Sequence, residues 1–200
     1  MTDLYLGLAP GAERPVVVLV AGVPGAGKST LAEGVARRLR MPIFSMDWML
    51  GSLVLARAVT DENAAEVVDL QMTAAVARHV ALGIDVVVDA TGHTREERGR
   101  WRALAERLGG VFVGVECVCS DAVVHRQRVE GRDRGIPGWH ATVPWSHVER
   151  MRGLWEPWEE DHLVVDSAVG SSELSVSLVV ELVRGLRSTG ETADPGIVGR

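Results

Sequence analysis

A continuous apolar, largely β-branched run, Val16-Val17-Val18-Leu19-Val20-Ala21, leads directly into Gly22-Val23-Pro24-Gly25-Ala26-Gly27-Lys28-Ser29. No polar residue alternates within the run, so it reads as a strand buried on both faces, the pattern of a parallel sheet. Leu31, Val35 and Leu39 then recur at a spacing of four, which predicts a helix beginning near Lys28, and Pro42 closes the unit. Parallel strands need crossover connections, usually helices, so this opening restricts the chain to an α/β architecture.

The rest of the chain repeats the alternation. Ile43-Phe44-Ser45 is a short second strand, expected to end at Asp47. A stripe of Val68, Met72, Val76 and Val80 predicts a helix within Asp61 to Leu82. Asp85-Val86-Val87-Val88-Asp89 is a third strand ending in an acid. Thr94 with Glu97 three residues on forms a capping-box pattern for a helix reaching about Leu108. Val111 to Val118 is a fourth strand, and Ser120 is placed to cap a helix from Asp121. Residues 131–144 are rich in Gly, Pro and Arg. A helix from Trp145 to about Trp155, a fifth strand Leu163-Val164-Val165-Asp166 and a helix from Ser172 to Leu186 complete the pattern. The expectation is a five-stranded parallel sheet with helices on both faces, forming one domain over residues 1–187, with 188–200 as a polar tail. Ligands in such sheets bind beyond the carboxyl ends of the strands, where the glycine-rich loop, Asp47, Asp89 and Asp166 all fall.

The loop fits G-x-x-x-x-G-K-S. Its glycines let backbone amides close around phosphate oxygens, and the helix start adds further amides and a positive dipole end. Gly22, Val23, Pro24, Gly25, Ala26, Gly27, Lys28, Ser29 and Thr30 are thus expected to hold the phosphates of ATP or GTP. Lys28 would reach the β- and γ-phosphates, and the Ser29 hydroxyl would ligate Mg2+. Lys28 is the only lysine among 21 Lys and Arg residues. A Ras-like GTPase needs an Asn-Lys-x-Asp base-reading motif, which a chain with no second lysine does not contain.

Two carboxylates stand out. Asp47 would face the γ-phosphate and accept the proton of an acceptor hydroxyl; the alternative is a capping or turn aspartate. Asp89 occupies a Walker-B-like position, where it would orient Mg2+ or pin a basic residue; the alternative is a satisfied strand end. Arg126, Arg128, Arg132 and Arg134 crowd one segment, and Arg128 and Arg132 share a helical face. They suit an Arg-rich lid over about 126–144 that clamps transferring phosphates, or else a solvated basic face. Trp48, Trp139, Trp145, Trp155 and Trp158 either belong to the core or line a pocket for a ring-containing acceptor. Of the six histidines only His93 is expected near the cleft, and none has metal-ligand spacing.

Composition narrows the partners. A formal net charge of -6 argues against a general nucleic-acid binder. No apolar run approaches the ~20 residues that cross a bilayer. Residues 1–15 lack a secretory pattern, so the expected location is the cytoplasm. Cys117 and Cys119, two apart on a strand, are expected to be free and buried.

Taken in order, Val20-Ala21-Gly22 through Thr30, Ser45-Met46-Asp47, Val88-Asp89-Ala90-Thr91, Arg128-Val129 to Arg132, and Val165-Asp166-Ser167 resemble the small P-loop, nucleoside-kinase-like phosphotransferases. That group includes chloramphenicol phosphotransferase, zeta-toxin-like sugar-nucleotide kinases and the kinase part of polynucleotide kinase. The resemblance spans about residues 15–187 and implies a kinase. It makes Lys28, Arg128 and Arg132 phosphate-directed, Asp47 the base, Ser29 a metal ligand, and Asp89 a support for the metal or for a substrate-contacting arginine. Arg98 matches a frequent basic position after the third-strand motif in that group, and with Asp47, Asp89, Trp48 beside Asp47 and His93 just after the Asp89 motif it is expected near the acceptor. Polynucleotide kinases often carry an arginine shortly after the catalytic aspartate, whereas this chain has Trp48-Met49-Leu50-Gly51. The uncharged stretch favours a small neutral hydroxyl compound, such as an antibiotic, as the acceptor. A nucleic-acid end kinase, a sugar-nucleotide kinase and a nucleotide-sensing regulator are the alternatives.

Overall fold

The computed structural model describes residues 13–131, 135–138 and 143–188. Five strands, β1 (Val16–Ala21), β2 (Ile43–Ser45), β3 (Val86–Asp89), β4 (Val111–Val118) and β5 (Leu163–Asp166), form one sheet in the order β2-β3-β1-β4-β5. Every pairing is parallel. The helices are α1 (Lys28–Leu39), α2 (Met46–Leu55), α3 (Ala64–Ala81), α4 (Arg95–Arg107), α5 (Ala122–Glu130), α6 (Trp145–Gly153) and α7 (Ser172–Ser188). The fold is therefore the expected α/β P-loop architecture.

Central placement explains why β1 is apolar throughout. Val16, Val18 and Val20 pack into a core shared with α1 and α7, while Val17, Leu19 and Ala21 pack against α3 and α4 on the opposite face. All six are buried, so each residue of the strand removes apolar surface from water. Leu19 is fully buried at the middle of the central strand. Leu19→Ala should lower unfolding free energy by about 2–5 kcal/mol, read from the shift of a denaturant midpoint at constant slope.

Two boundaries differ from the sequence expectation. The second strand stops at Ser45, and α2 begins at once, so Asp47 lies in the first turn of a helix rather than at a strand end. Met46 to Leu55 is apolar nearly all round, which hides the helical period. The cap of α5 is Asp121, not Ser120: its carboxylate accepts from the Val123 and Val124 amides. The capping box of Thr94 and Glu97 forms as expected. Among the described residues no helix is long and apolar enough to cross a membrane.

Candidate functional site

The phosphate loop leaves the carboxyl end of β1 between β3 and β4. Gly22 has φ of 152°, and a Cβ on it would lie 2.3 Å from the Cys117 carbonyl oxygen of β4. Gly25 has φ of 80°, and a Cβ there would lie 2.4 Å from a Val129 methyl of α5. Both positions thus need glycine for conformation and for room. The loop carbonyls are held by side chains. The Val23 oxygen accepts from Lys28 Nζ at 3.2 Å, the Pro24 oxygen from His125 Nε2 at 2.8 Å, and the Ala26 oxygen from Cys117 Sγ at 3.0 Å. In a trans peptide the following N–H points the opposite way, so anchoring the Pro24 and Ala26 carbonyls turns the Gly25 and Gly27 amides to the other side. Ser29 is buried in the first turn of α1.

Cys117 is 1% exposed, and burial pushes its thiol pKa up to about 11. Thiolate, the reactive form, is therefore scarce near neutrality. Iodoacetamide at pH 8 should leave Cys117 unlabelled in the folded protein and label it after unfolding. Labelling of the folded chain at Cys117 would contradict its place beneath the loop. Cys119 is likewise free and buried.

Asp89 ends β3 opposite Val20 of β1 on one side and Ser45 of β2 on the other. Its carboxylate is 4% exposed and accepts the Ser45 hydroxyl at 3.0 Å. Ser45 stands at the start of α2 but spends its hydroxyl on Asp89, leaving the helix entry without a side-chain cap. The same bond fixes the strand-to-helix turn that carries Asp47 and Trp48. The Gly22 amide donates to the Thr91 carbonyl at 3.0 Å, which ties the loop to the segment following Asp89. The hydroxyl of Ser29 and the carboxylate of Asp89 are hard oxygen donors of the kind Mg2+ takes alongside water and phosphate oxygens. Among the described residues no group of three or more His, Cys, Asp or Glu side chains makes a protein-only metal cage. An Mg2+ that shares its shell with nucleotide phosphates does not need one.

Beside the loop lies a cavity of about 570 Å3, walled by Gly27, Thr30, Leu31, Arg128, Ser167 and Ser171. Arg128 lines this cavity together with the loop glycines Gly25 and Gly27. It donates to Ser167 Oγ at 2.7 Å and to the Ser167 carbonyl at 3.0 Å. These bonds bridge α5 and the turn after β5 and set Arg128 at the edge of the cavity that the loop lines. Arg132 and Arg134 lie outside the described residues, as do Trp139 and His140.

A second cavity, about 450 Å3, is lined by Trp48, Ser52, Leu55, Ala56 and Pro137. Segment 135–138 rests on α2 here. A Cβ on Gly51 would lie 2.5 Å from the Pro137 carbonyl oxygen. The described lining residues carry no charge, and Trp48 is 49% exposed.

Arg98 corrects its expected role. Its side chain is 1% exposed and turned inward. It donates to the carbonyls of Gly92 (2.8 Å), Glu156 (2.8 Å) and Pro157 (3.1 Å), and its guanidinium lies 4.7 Å from the Trp158 ring centroid. Burial lowers its pKa, opposed by Glu160, Glu116 and Glu156. Arg98 therefore pins the chain after α6 to the loop after β3, and contact with an acceptor is not what this geometry provides. His93 is partly exposed beside Glu97, with Nδ1 3.0 Å from the Glu97 carboxylate.

Among the described histidines, His125 lines the cavity at the start of the loop, and spacing alone does not single it out. It is fully buried on α5, and its Nδ1 lies 2.7 Å from an Arg152 guanidinium nitrogen of α6. Burial lowers its pKa, with Arg152, Arg128 and Lys28 adding to the effect. Of the tryptophans, Trp101 is core, Trp145 packs edge-on against His125, and Trp155 and Trp158 flank Arg98. The only sequence hint of His125 is its spacing of four from Val129, the buried face of α5.

Similar folds occur in solved structures. A candidate kinase from Chloroflexus aurantiacus J-10-fl superposes with a TM-score of 0.68 at 18% identity, over 90% of this chain and 100% of that one. Kti12 of Chaetomium thermophilum, solved with ADP-AlF3, gives 0.65 at 18% identity, over 86% and 98%. The APS kinase CysC of Mycobacterium tuberculosis, solved with AMPPNP and APS, gives 0.60 at 18% identity, over 86% and 99%. At these identities the likeness establishes the fold. No curated protein sequence matches the chain at a significant level. Residues 17–157 match the AAA domain family across the strand, phosphate loop and carboxylates described above, and the chain belongs to that family.

Proposed function

We propose that the chain is an ATP- or GTP-dependent O-phosphotransferase that phosphorylates a hydroxyl of a small natural product, an antibiotic being the most concrete acceptor. The observation that carries this reading is α2: Asp47 and Trp48 open an apolar helix whose side chains and Pro137 wall a 450 Å3 cavity with no charged lining among the described residues. A phosphorylated or polymeric acceptor calls for cationic side chains in that wall, whereas a neutral ring compound calls for apolar ones.

On this reading the loop amides and Lys28 hold the triphosphate, and the 570 Å3 cavity takes the nucleoside. Ser29 and Asp89 would hold an Mg2+ together with the phosphates, which would neutralise charge there. Asp47 orients the acceptor hydroxyl and accepts its proton as the oxygen bonds to the γ-phosphorus. The bond from that phosphorus to the β,γ-bridging oxygen breaks, and the diphosphate leaves. The nucleotide-bearing Kti12 and CysC structures support a nucleotide donor by analogy.

The test is a transfer screen with γ-labelled ATP and GTP across antibiotics, nucleosides and sugars. A labelled organic product is expected. Label appearing only as inorganic phosphate would favour a nucleotide-sensing role instead.

A further inference from the structure

We infer that Arg152, held in place by His125, is the guanidinium that faces the γ-phosphate, and that His125 is a positioning residue coupling it to the phosphate loop. The inference rests on the phosphotransferase reading above and adds residues to it.

A cavity of about 250 Å3 opens at the mouth of the loop, and its walls include Gly22, Val23, Glu116, His125, Arg152 and Trp155. Gly22 and Val23 are the first residues of the phosphate loop. Lys28 reaches the same place, since its ammonium donates to the Val23 carbonyl at 3.2 Å. Lys28 thus bonds a residue of the same wall that Arg152 lines from α6. The anionic wall residue, Glu116, has its carboxylate 3.2 Å from His162 Nε2.

His125 is what fixes Arg152 there. The Pro24 carbonyl can only accept, so His125 Nε2 must carry the hydrogen in the 2.8 Å contact. Nδ1 is then a bare acceptor, and Arg152 donates to it at 2.7 Å. Trp145 packs edge-on against the imidazole at 5.3 Å between centroids, and the Arg152 guanidinium lies 5.3 Å from the same indole. One neutral ring therefore joins the loop to the arginine through its two nitrogens. Arg128, by contrast, already donates twice to Ser167. An arginine held in advance at the loop mouth stabilises charge on the transferring phosphoryl group without first having to be ordered.

The two functions of the ring can be separated. In His125→Gln the amide nitrogen can still donate to the Pro24 carbonyl, but the acceptor for Arg152 is lost. His125→Asn keeps an acceptor for Arg152 and loses the reach to Pro24. Titration calorimetry with ADP and with a non-hydrolysable ATP analogue, alongside single-turnover loss of the γ-phosphate, distinguishes them. Arg152→Ala and His125→Gln should both keep ADP affinity, weaken the ATP analogue selectively, and slow the γ-phosphate step by about 10²–10³-fold. His125→Asn should instead weaken both nucleotides while preserving the preference for the triphosphate. The double variant Arg152→Ala/His125→Gln should lose little more than Arg152→Ala alone. Unchanged discrimination between ADP and the ATP analogue in Arg152→Ala would overturn the assignment. So would equal losses for both ligands in His125→Gln and His125→Asn accompanied by a lower Tm, the pattern of a merely structural histidine. The discrimination measurement needs no acceptor. A chain that discriminates through Arg152 yet transfers nothing would contradict the phosphotransferase reading and leave this assignment standing.

Discussion

Asp47→Asn is expected to lower phosphate transfer by about 10²–10⁴-fold while leaving nucleotide affinity close to that of the unaltered chain, if Asp47 is the base of the proposed reaction. The substitution keeps size and hydrogen-bonding reach and removes the ability to take a proton. Asp47 sits in the first turn of α2, in a turn fixed by the Ser45–Asp89 bond, on a helix separate from the phosphate loop. Loss of the carboxylate therefore acts on the acceptor and leaves the donor cradle formed. Nucleotide binding by calorimetry and transfer by label incorporation are measured on the same preparation. A normal transfer rate in the variant would remove Asp47 as the base.

Lys28→Ala should have the second large effect, with a different signature. Both nucleotide affinity and transfer should fall, the latter by about 10²–10³-fold, because one preorganised cation would be lost from the developing phosphoryl charge. Lys28→Arg should not restore activity. The loop closes tightly on itself, with Lys28 Nζ 3.2 Å from the Val23 carbonyl, and a compact ammonium fits that turn where a planar guanidinium does not. The chain makes this contrast sharp, since Lys28 is its single lysine among 21 basic Lys and Arg residues. Full activity in Lys28→Arg would show that charge alone, and not geometry, is what the position requires.

Much of the fold is legible in the sequence because its signals are local. The unbroken apolar run of β1, the glycine-lysine-serine turn and the Thr94–Glu97 capping box each declare themselves within a few residues. The parallel sheet follows from their alternation. Helix α2 is less legible, since an apolar surface on nearly every side erases the period that marks a helix. That is why Asp47 reads as a strand end rather than a helix start. The site is legible where one motif holds it, from Gly22 to Ser29, and illegible where contacts are distant. His125 meets Pro24 across 101 positions of chain and Arg152 across 27. Arg98 follows the β3 motif at a spacing that suggests an acceptor contact. Only the folded chain brings the Glu156 and Pro157 carbonyls onto its guanidinium. In an arginine-rich chain, identity and spacing do not separate a clamp from a catalytic group; burial and partners do.

On the proposed reading, the phosphate held by the loop passes to a small neutral hydroxyl compound. ATP carrying 18O throughout its γ-phosphate tests this when offered with neutral hydroxyl antibiotics and, in parallel, with a 5'-hydroxyl oligonucleotide. Mass spectrometry then follows the label. The expected product is a phosphate ester of a neutral acceptor retaining three labelled non-bridging oxygens, absent with Asp47→Asn, with no labelled oligonucleotide. Label in the oligonucleotide, or in inorganic phosphate alone, would contradict it.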